Sequence, residues 1–176
     1  MKYSVSSYSY MKMIRAGEIT PFEVIAKTKE LGFDAIEFVD FVDFLPLPEE
    51  ERPAYAEKIR AEADRLGLEI SSLTIGADFI NGCDGDFEKE VERVKKFVDI
   101  GRILGVKRMR HDATGGYPVD SDKYCAFDTL IPRLAEGCRR VTEYAEQFGI
   151  RTMIENHGFY AQDSERVEKL YTAINH

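Results

Sequence analysis

The sequence predicts an α/β fold built from serial strand–helix units around a parallel sheet. Three observations carry that prediction. First, four helical runs end in an apolar residue, a glycine and a second apolar residue that opens a strand-like segment: Leu31-Gly32-Phe33, Leu66-Gly67-Leu68, Leu104-Gly105-Val106 and Phe148-Gly149-Ile150. Glycine just past a helix end takes the left-handed conformation without a Cβ penalty, so each junction reads as a C-cap feeding a strand. Second, these glycines lie 35, 38 and 44 residues apart, the length of one strand–helix unit with its loops. Third, the strand segments alternate apolar with charged residues. A doubly wound sheet buries its central strands on both faces and penalises such charges, whereas the mouth of a barrel accepts them. The expected architecture is a parallel (β/α) barrel of the TIM type, here about five of its eight units, as one domain over residues 1–176.

Each unit has local support. Strand one is expected from Tyr3 to Tyr8. The first helix opens on Thr20-Pro21-Phe22-Glu23, a capping box with proline at the first helical position. Its apolar stripe is Val24, Ile25, Thr28 and Leu31. Strand two runs from Asp34 to Asp40, and helix two begins near Pro53 and buries Ile59, Ala63 and Leu66. Strand three is Leu68 to Ile75. Asp84-Gly85-Asp86 reads as a turn into helix three, where Phe87, Val91, Val94 and Val98 recur at helical spacing. Strand four is Val106 to His111, and helix four carries Leu130, Leu134, Cys138, Val141 and Phe148. Strand five is Ile150 to Asn156. A last helix, capped by Asp163 or Ser164, presents Val167, Leu170, Tyr171 and Ile174.

The bulk numbers narrow the function. Hydrophobic residues make up 44% and charged residues 32%, a globular balance. The net charge of −8 repels phosphate backbones and argues against nucleic acid as a partner. No apolar run approaches the roughly 20 residues that span a bilayer, and the start M-K-Y-S-V-S-S has no signal-peptide core, so no membrane partner and a cytoplasmic location are expected. Cys83, Cys125 and Cys138 are odd in number and widely spaced, as reduced thiols are.

Chemistry in such folds sits at the carboxyl ends of the strands. Strand alternation puts Met153, Glu155 and His157 on one face. Glu155 there can ligate a divalent metal or move a proton beside a carbonyl, or form an ion pair with Arg110. His157 is a metal ligand, a substrate contact or a loop histidine bonded to backbone, and Gly158 beside it allows close backbone approach. Arg110 and His111 end strand four, ahead of Thr114-Gly115-Gly116. An arginine there recognises phosphate or carboxylate, or pairs with Glu155, and the glycines form an anion nest or an ordinary loop. Glu37, Asp40 and Asp43 crowd the end of strand two.

These residues resemble a known family, the xylose isomerase-like barrels, and within it the sugar phosphate isomerase/epimerase branch. The resemblance is carried by M-K-Y-S-V-S-S-Y-S-Y, L-G-F-D-A-I-E-F-V-D, V-K-R-M-R-H-D-A-T and I-R-T-M-I-E-N-H-G-F with D-S-E-R-V-E-K-L. It implies a sugar or polyol substrate and a divalent metal, Mn²⁺ or Mg²⁺. It also implies that Glu155 is both metal ligand and catalytic base, with His157 beside the substrate; Arg110 and His111, from the reading of strand four, are the other expected substrate contacts. The family's other ligands come from strands six to eight, so metal binding by this chain is expected to be weak or absent. Two alternatives stand beside this one: a non-catalytic partial barrel that pairs with itself or a complementary chain through its open edges, giving a homo-oligomer, and a metal-dependent DNA-repair endonuclease relative.

Overall fold

A computed structural model describes residues 1–116, 127–157 and 160–176. Cys125 and Gly158 lie outside the described residues. One five-stranded parallel sheet has the order β1-β2-β3-β4-β5, formed by Ser4–Ser6, Ala35–Val39, Glu69–Ile75, Arg108–His111 and Arg151–Met153. Sequential order is that of a (β/α) barrel counted through its fifth strand, and it excludes the 2-1-3-4-5 order of a doubly wound sheet.

The chain divides into two compact units. The first comprises residues 1–75 and 99–109. It holds β1, α1 (Met11–Arg15), α2 (Pro21–Glu30), β2, α3 (Asp40–Asp43), α4 (Arg52–Leu66) and β3. Here β1 pairs with β2, and β2 with β3, in parallel register, with an irregularity between Ile36 and Glu37. Val24, Ile25, Ile36, Phe38, Phe44, Ile59, Leu73 and Ile75 are fully buried and form its core. The capping box of α2 is present, with Thr20 Oγ1 accepting from the Glu23 amide and Glu23 Oε2 accepting from the Thr20 amide.

The second unit comprises residues 76–98 and 110–176. It contains α6 (Phe127–Glu146), β5, α7 (Ser164–Ile174) and most of α5 (Phe87–Leu104). Phe79, Val91, Val94, Leu134, Val141 and Tyr160 are fully buried there. Asp86 caps α5 by accepting from the Lys89 amide, and Asp163 caps α7 by accepting from the Arg166 amide.

All four junction glycines have positive φ: 84° at Gly32, 61° at Gly67, 73° at Gly105 and 67° at Gly149. Among the described residues no helix is long and apolar enough to cross a membrane.

Some boundaries differ from the sequence expectation. β1 stops at Ser6, whose hydroxyl accepts from the Tyr8 amide and starts a 3-10 turn over Ser7–Tyr10 that leads into α1. β5 covers Arg151–Met153 rather than reaching Asn156. A parallel strand extends only as far as its neighbour offers backbone groups, and the neighbouring β4 has four residues.

Candidate active site

Arg110 and Asp112, at the end of β4, stand on the same side of the chain as Glu155 and His157 beyond β5. Two-residue spacing on each segment returns side chains to one face. Arg110 Nη2 donates to Glu155 Oε1 at 2.7 Å and pairs with Asp112 Oδ1 at 3.0 Å. The same Asp112 oxygen lies 3.1 Å from His157 Nδ1. An ionised carboxylate only accepts, so the contact places the imidazole proton on Nδ1. The four side chains form one chain of contacts, Glu155–Arg110–Asp112–His157.

Their exposure differs in a way that matters for access. The side chains of Glu155 and His157 are 54% and 58% exposed, against 13% for Arg110 and 20% for Asp112. Arg110 is the anchored member and Glu155 the presented one. The second Glu155 oxygen accepts no bond among the described residues.

His111 is not part of this group. Neighbouring strand residues face opposite ways, and the structure buries His111 to 2% exposure with its ring edge-on to Phe79 at 6.2 Å. Its Nδ1 donates to the Asp112 carbonyl at 2.8 Å, and burial pushes its pKa below the ordinary histidine value. It borders a cavity of about 290 Å³ with Cys138, Thr142, Thr152 and Tyr171.

Gly115 and Gly116 do not form an open anion nest. The Gly115 amide donates to Asp78 Oδ2 at 3.2 Å and the Gly116 amide to Thr114 Oγ1 at 3.1 Å. Asp78 is a residue the sequence reading did not single out. Its carboxylate also takes the amides of Ile80 and Asn81 and the Thr114 hydroxyl, tying the loop after β3 to the loop after β4. Nor did sequence reasoning give Asp112 its central place. The R-x-D spacing was its one available signal.

At the end of β2, Glu37 accepts from Ser72 and Thr74 on β3. Asp43 is buried and accepts from the Ser7 hydroxyl at 2.6 Å and the Val39 amide at 3.0 Å.

A divalent metal requires several hard oxygen donors converging on one point. Asp112 and Glu155 do converge, but on Arg110 Nη2, and His157 is turned to Asp112. Among the described residues no group of three His, Cys, Asp or Glu side chains could hold a metal ion. The donor set as arranged does not fit a metal.

Five parallel strands in sequential order within one sheet define the class, an α/β protein consistent with a partial TIM barrel. The chain belongs to the xylose isomerase-like TIM barrel family, whose model matches residues 25–176. No curated protein matches it in sequence. Among solved structures it is similar to the probable 3-DHS dehydratase AsbF of Bacillus anthracis, at 16% identity and a TM-score of 0.72, covering 100% of this chain and 60% of that one. It is also similar to a D-psicose 3-epimerase of Clostridium cellulolyticum H10 (19% identity, TM-score 0.72, 100% and 61% covered). A third is the IolI protein with a bound zinc atom (15% identity, TM-score 0.71, 100% and 60% covered). At these identities the likeness establishes the fold. The chain spans about three fifths of the length of these structures.

Proposed function

We propose that the chain carries the strand-four and strand-five side of a sugar isomerase or epimerase site. The observation that carries this reading is Glu155, a half-exposed carboxylate with one oxygen fixed by Arg110 and the other without a bond among the described residues, just past the carboxyl end of β5. In this reading Glu155 is the base that removes a proton from the carbon beside a sugar carbonyl and returns it to a neighbouring position or the opposite face. Arg110 holds the carboxylate in place, and His157, oriented by Asp112, is the candidate contact to substrate hydroxyls. His111 acts on the fold beside them rather than on the substrate. A neutral sugar or sugar phosphate is the substrate class. The net charge of −8 opposes nucleic acid and the endonuclease alternative. Structures of a D-psicose 3-epimerase and an L-ribulose 3-epimerase share the fold, which supports the sugar reading.

Deuterium exchange tests it. Incubated in D₂O with D-fructose, D-psicose or D-tagatose, the protein is expected to replace the proton beside the carbonyl of at least one ketose. Glu155→Gln is expected to slow that exchange by roughly 10²-fold or more while circular dichroism stays unchanged. Absence of exchange with a panel of ketoses and their phosphates would retire the reading. A second reading, a non-catalytic partial barrel that associates, would then stand on β1 and β5, each of which has a single neighbour among the described strands.

A further inference from the structure

The arrangement of charges around Arg110 goes beyond the role of a substrate contact. One guanidinium nitrogen, Nη2, lies 2.7 Å from a Glu155 oxygen and 3.0 Å from an Asp112 oxygen. The Arg110 side chain is 13% exposed, and its Nε is buried with no hydrogen-bond partner among the described residues. A guanidinium normally satisfies its N–H groups through a flat fork onto one carboxylate. Here it leaves one N–H unsatisfied while a single nitrogen serves two carboxylates. It is therefore positioned as a point charge between them. Both oxygens point at the space Nη2 fills.

We infer that Arg110 is the built-in cation of this site and competes directly with a divalent metal for Glu155 and Asp112. The inference rests on Glu155 being the carboxylate that faces the reaction. Two physical facts make the competition exclusive. A bound Mg²⁺ draws its oxygen ligands in to about 2.1 Å, which requires the volume that Nη2 occupies. A divalent ion beside an undisplaced guanidinium also meets like charge at close range in a partly buried setting, where screening is weak. A metal can bridge Glu155 and Asp112 only when Arg110 has moved from between them. Arg110 is thus a positioning residue that sets the cation affinity of the carboxylates.

Titration with Mn²⁺, followed by calorimetry and by the paramagnetic resonance of free Mn²⁺, tests this on the intact chain without any turnover. Wild type is expected to bind Mn²⁺ weakly. Arg110→Gln is expected to bind at least tenfold tighter, about 1.4 kcal/mol. The double variant R110Q/E155Q is expected to lose that gain, which assigns it to Glu155. Arg110→Met keeps the buried stem and carries the same comparison should the glutamine variant fail to fold. Equal affinity of wild type and Arg110 variants overturns the inference, as does tight binding by wild type or a gain that survives in the double variant. A protein that exchanges no ketose proton leaves this titration readable, so the two claims fail separately.

Discussion

Asp43 shows how a single residue ties the ends of two strands together at a cost that depends on pH. Its Oδ2 accepts from Ser7, just past β1, and from the amide of Val39 at the end of β2, while Oδ1 is buried without a partner. Burial raises the carboxyl pKa to about 6, the Ser7 and Val39 hydrogen bonds oppose the rise, and neighbouring Asp40 adds to it. The folded value lies above the unfolded one, so between roughly pH 4 and 6 the folded chain binds more protons than the unfolded. The stability this group contributes is full below about pH 4 and is lost as pH rises through 6. Asp43→Asn keeps an oxygen for Ser7 and Val39 and removes the buried charge. It is expected to flatten that part of the pH profile and to raise stability at pH 8 relative to pH 4.5 by on the order of 2–3 kcal/mol. Urea unfolding of both proteins at the two pH values measures it; an unchanged pH profile in the variant would exclude Asp43 as the titrating group.

At the scale of elements, α6 is seated by a close approach at Gly137. A Cβ there would meet the Phe79 ring carbons at 2.5–2.8 Å. Phe79 cannot retreat easily, because it is fully buried, packs edge-on to His111, and its carbonyl accepts from Arg133 Nε of α6 at 2.6 Å. Helix propensity alone predicts that Gly137→Ala gains about 1 kcal/mol. Overpacking predicts a loss of roughly 1–3 kcal/mol, and the fixed ring decides in its favour. Thermal unfolding is expected to show a lower midpoint, and a rise would show that Phe79 yields. This contact also marks what the sequence could not display. The helices α2, α5 and α7 were legible because capping and apolar periodicity are local signals, and the four glycine junctions because positive φ selects glycine. The single turns at Ser7–Tyr10, Met11–Arg15 and Asp40–Asp43 were not legible, since partners distant in sequence, such as Ser7 with Asp43, hold part of them. In the candidate site, the pairing of Arg110 with Glu155 was readable from alternation. The same alternation places His111 on the opposite face. Asp112 needed the loop geometry after β4 before its link to His157 could be seen.

For the whole molecule, the sheet order leaves β1 and β5 with one neighbour each among the described strands. Backbone N–H and C=O groups on an edge strand seek partners, and unprotected edges pair with other chains. The β5 edge is short, three residues, and lies beside an opening of about 730 Å³ bordered by Thr142, Glu146, Ile150, Arg151, Tyr171 and His176. Edge-strand groups without a strand partner are a template for pairing with a second polypeptide. The chain is therefore expected to be a dimer or larger at micromolar concentration, which light scattering coupled to size-exclusion chromatography measures directly. Pairing through β5 makes a narrower claim. Replacing Thr152 with proline removes an amide donor from that strand, so it should shift the population toward monomer if the Thr152 amide faces the edge. Hydrogen exchange supplies the complementary reading, with amides of 151–153 protected more strongly as concentration rises. A stable monomer at micromolar concentration would contradict the expectation. An oligomer whose β5 amides exchange at the same rate at every concentration would move the interface to β1 or to the helices.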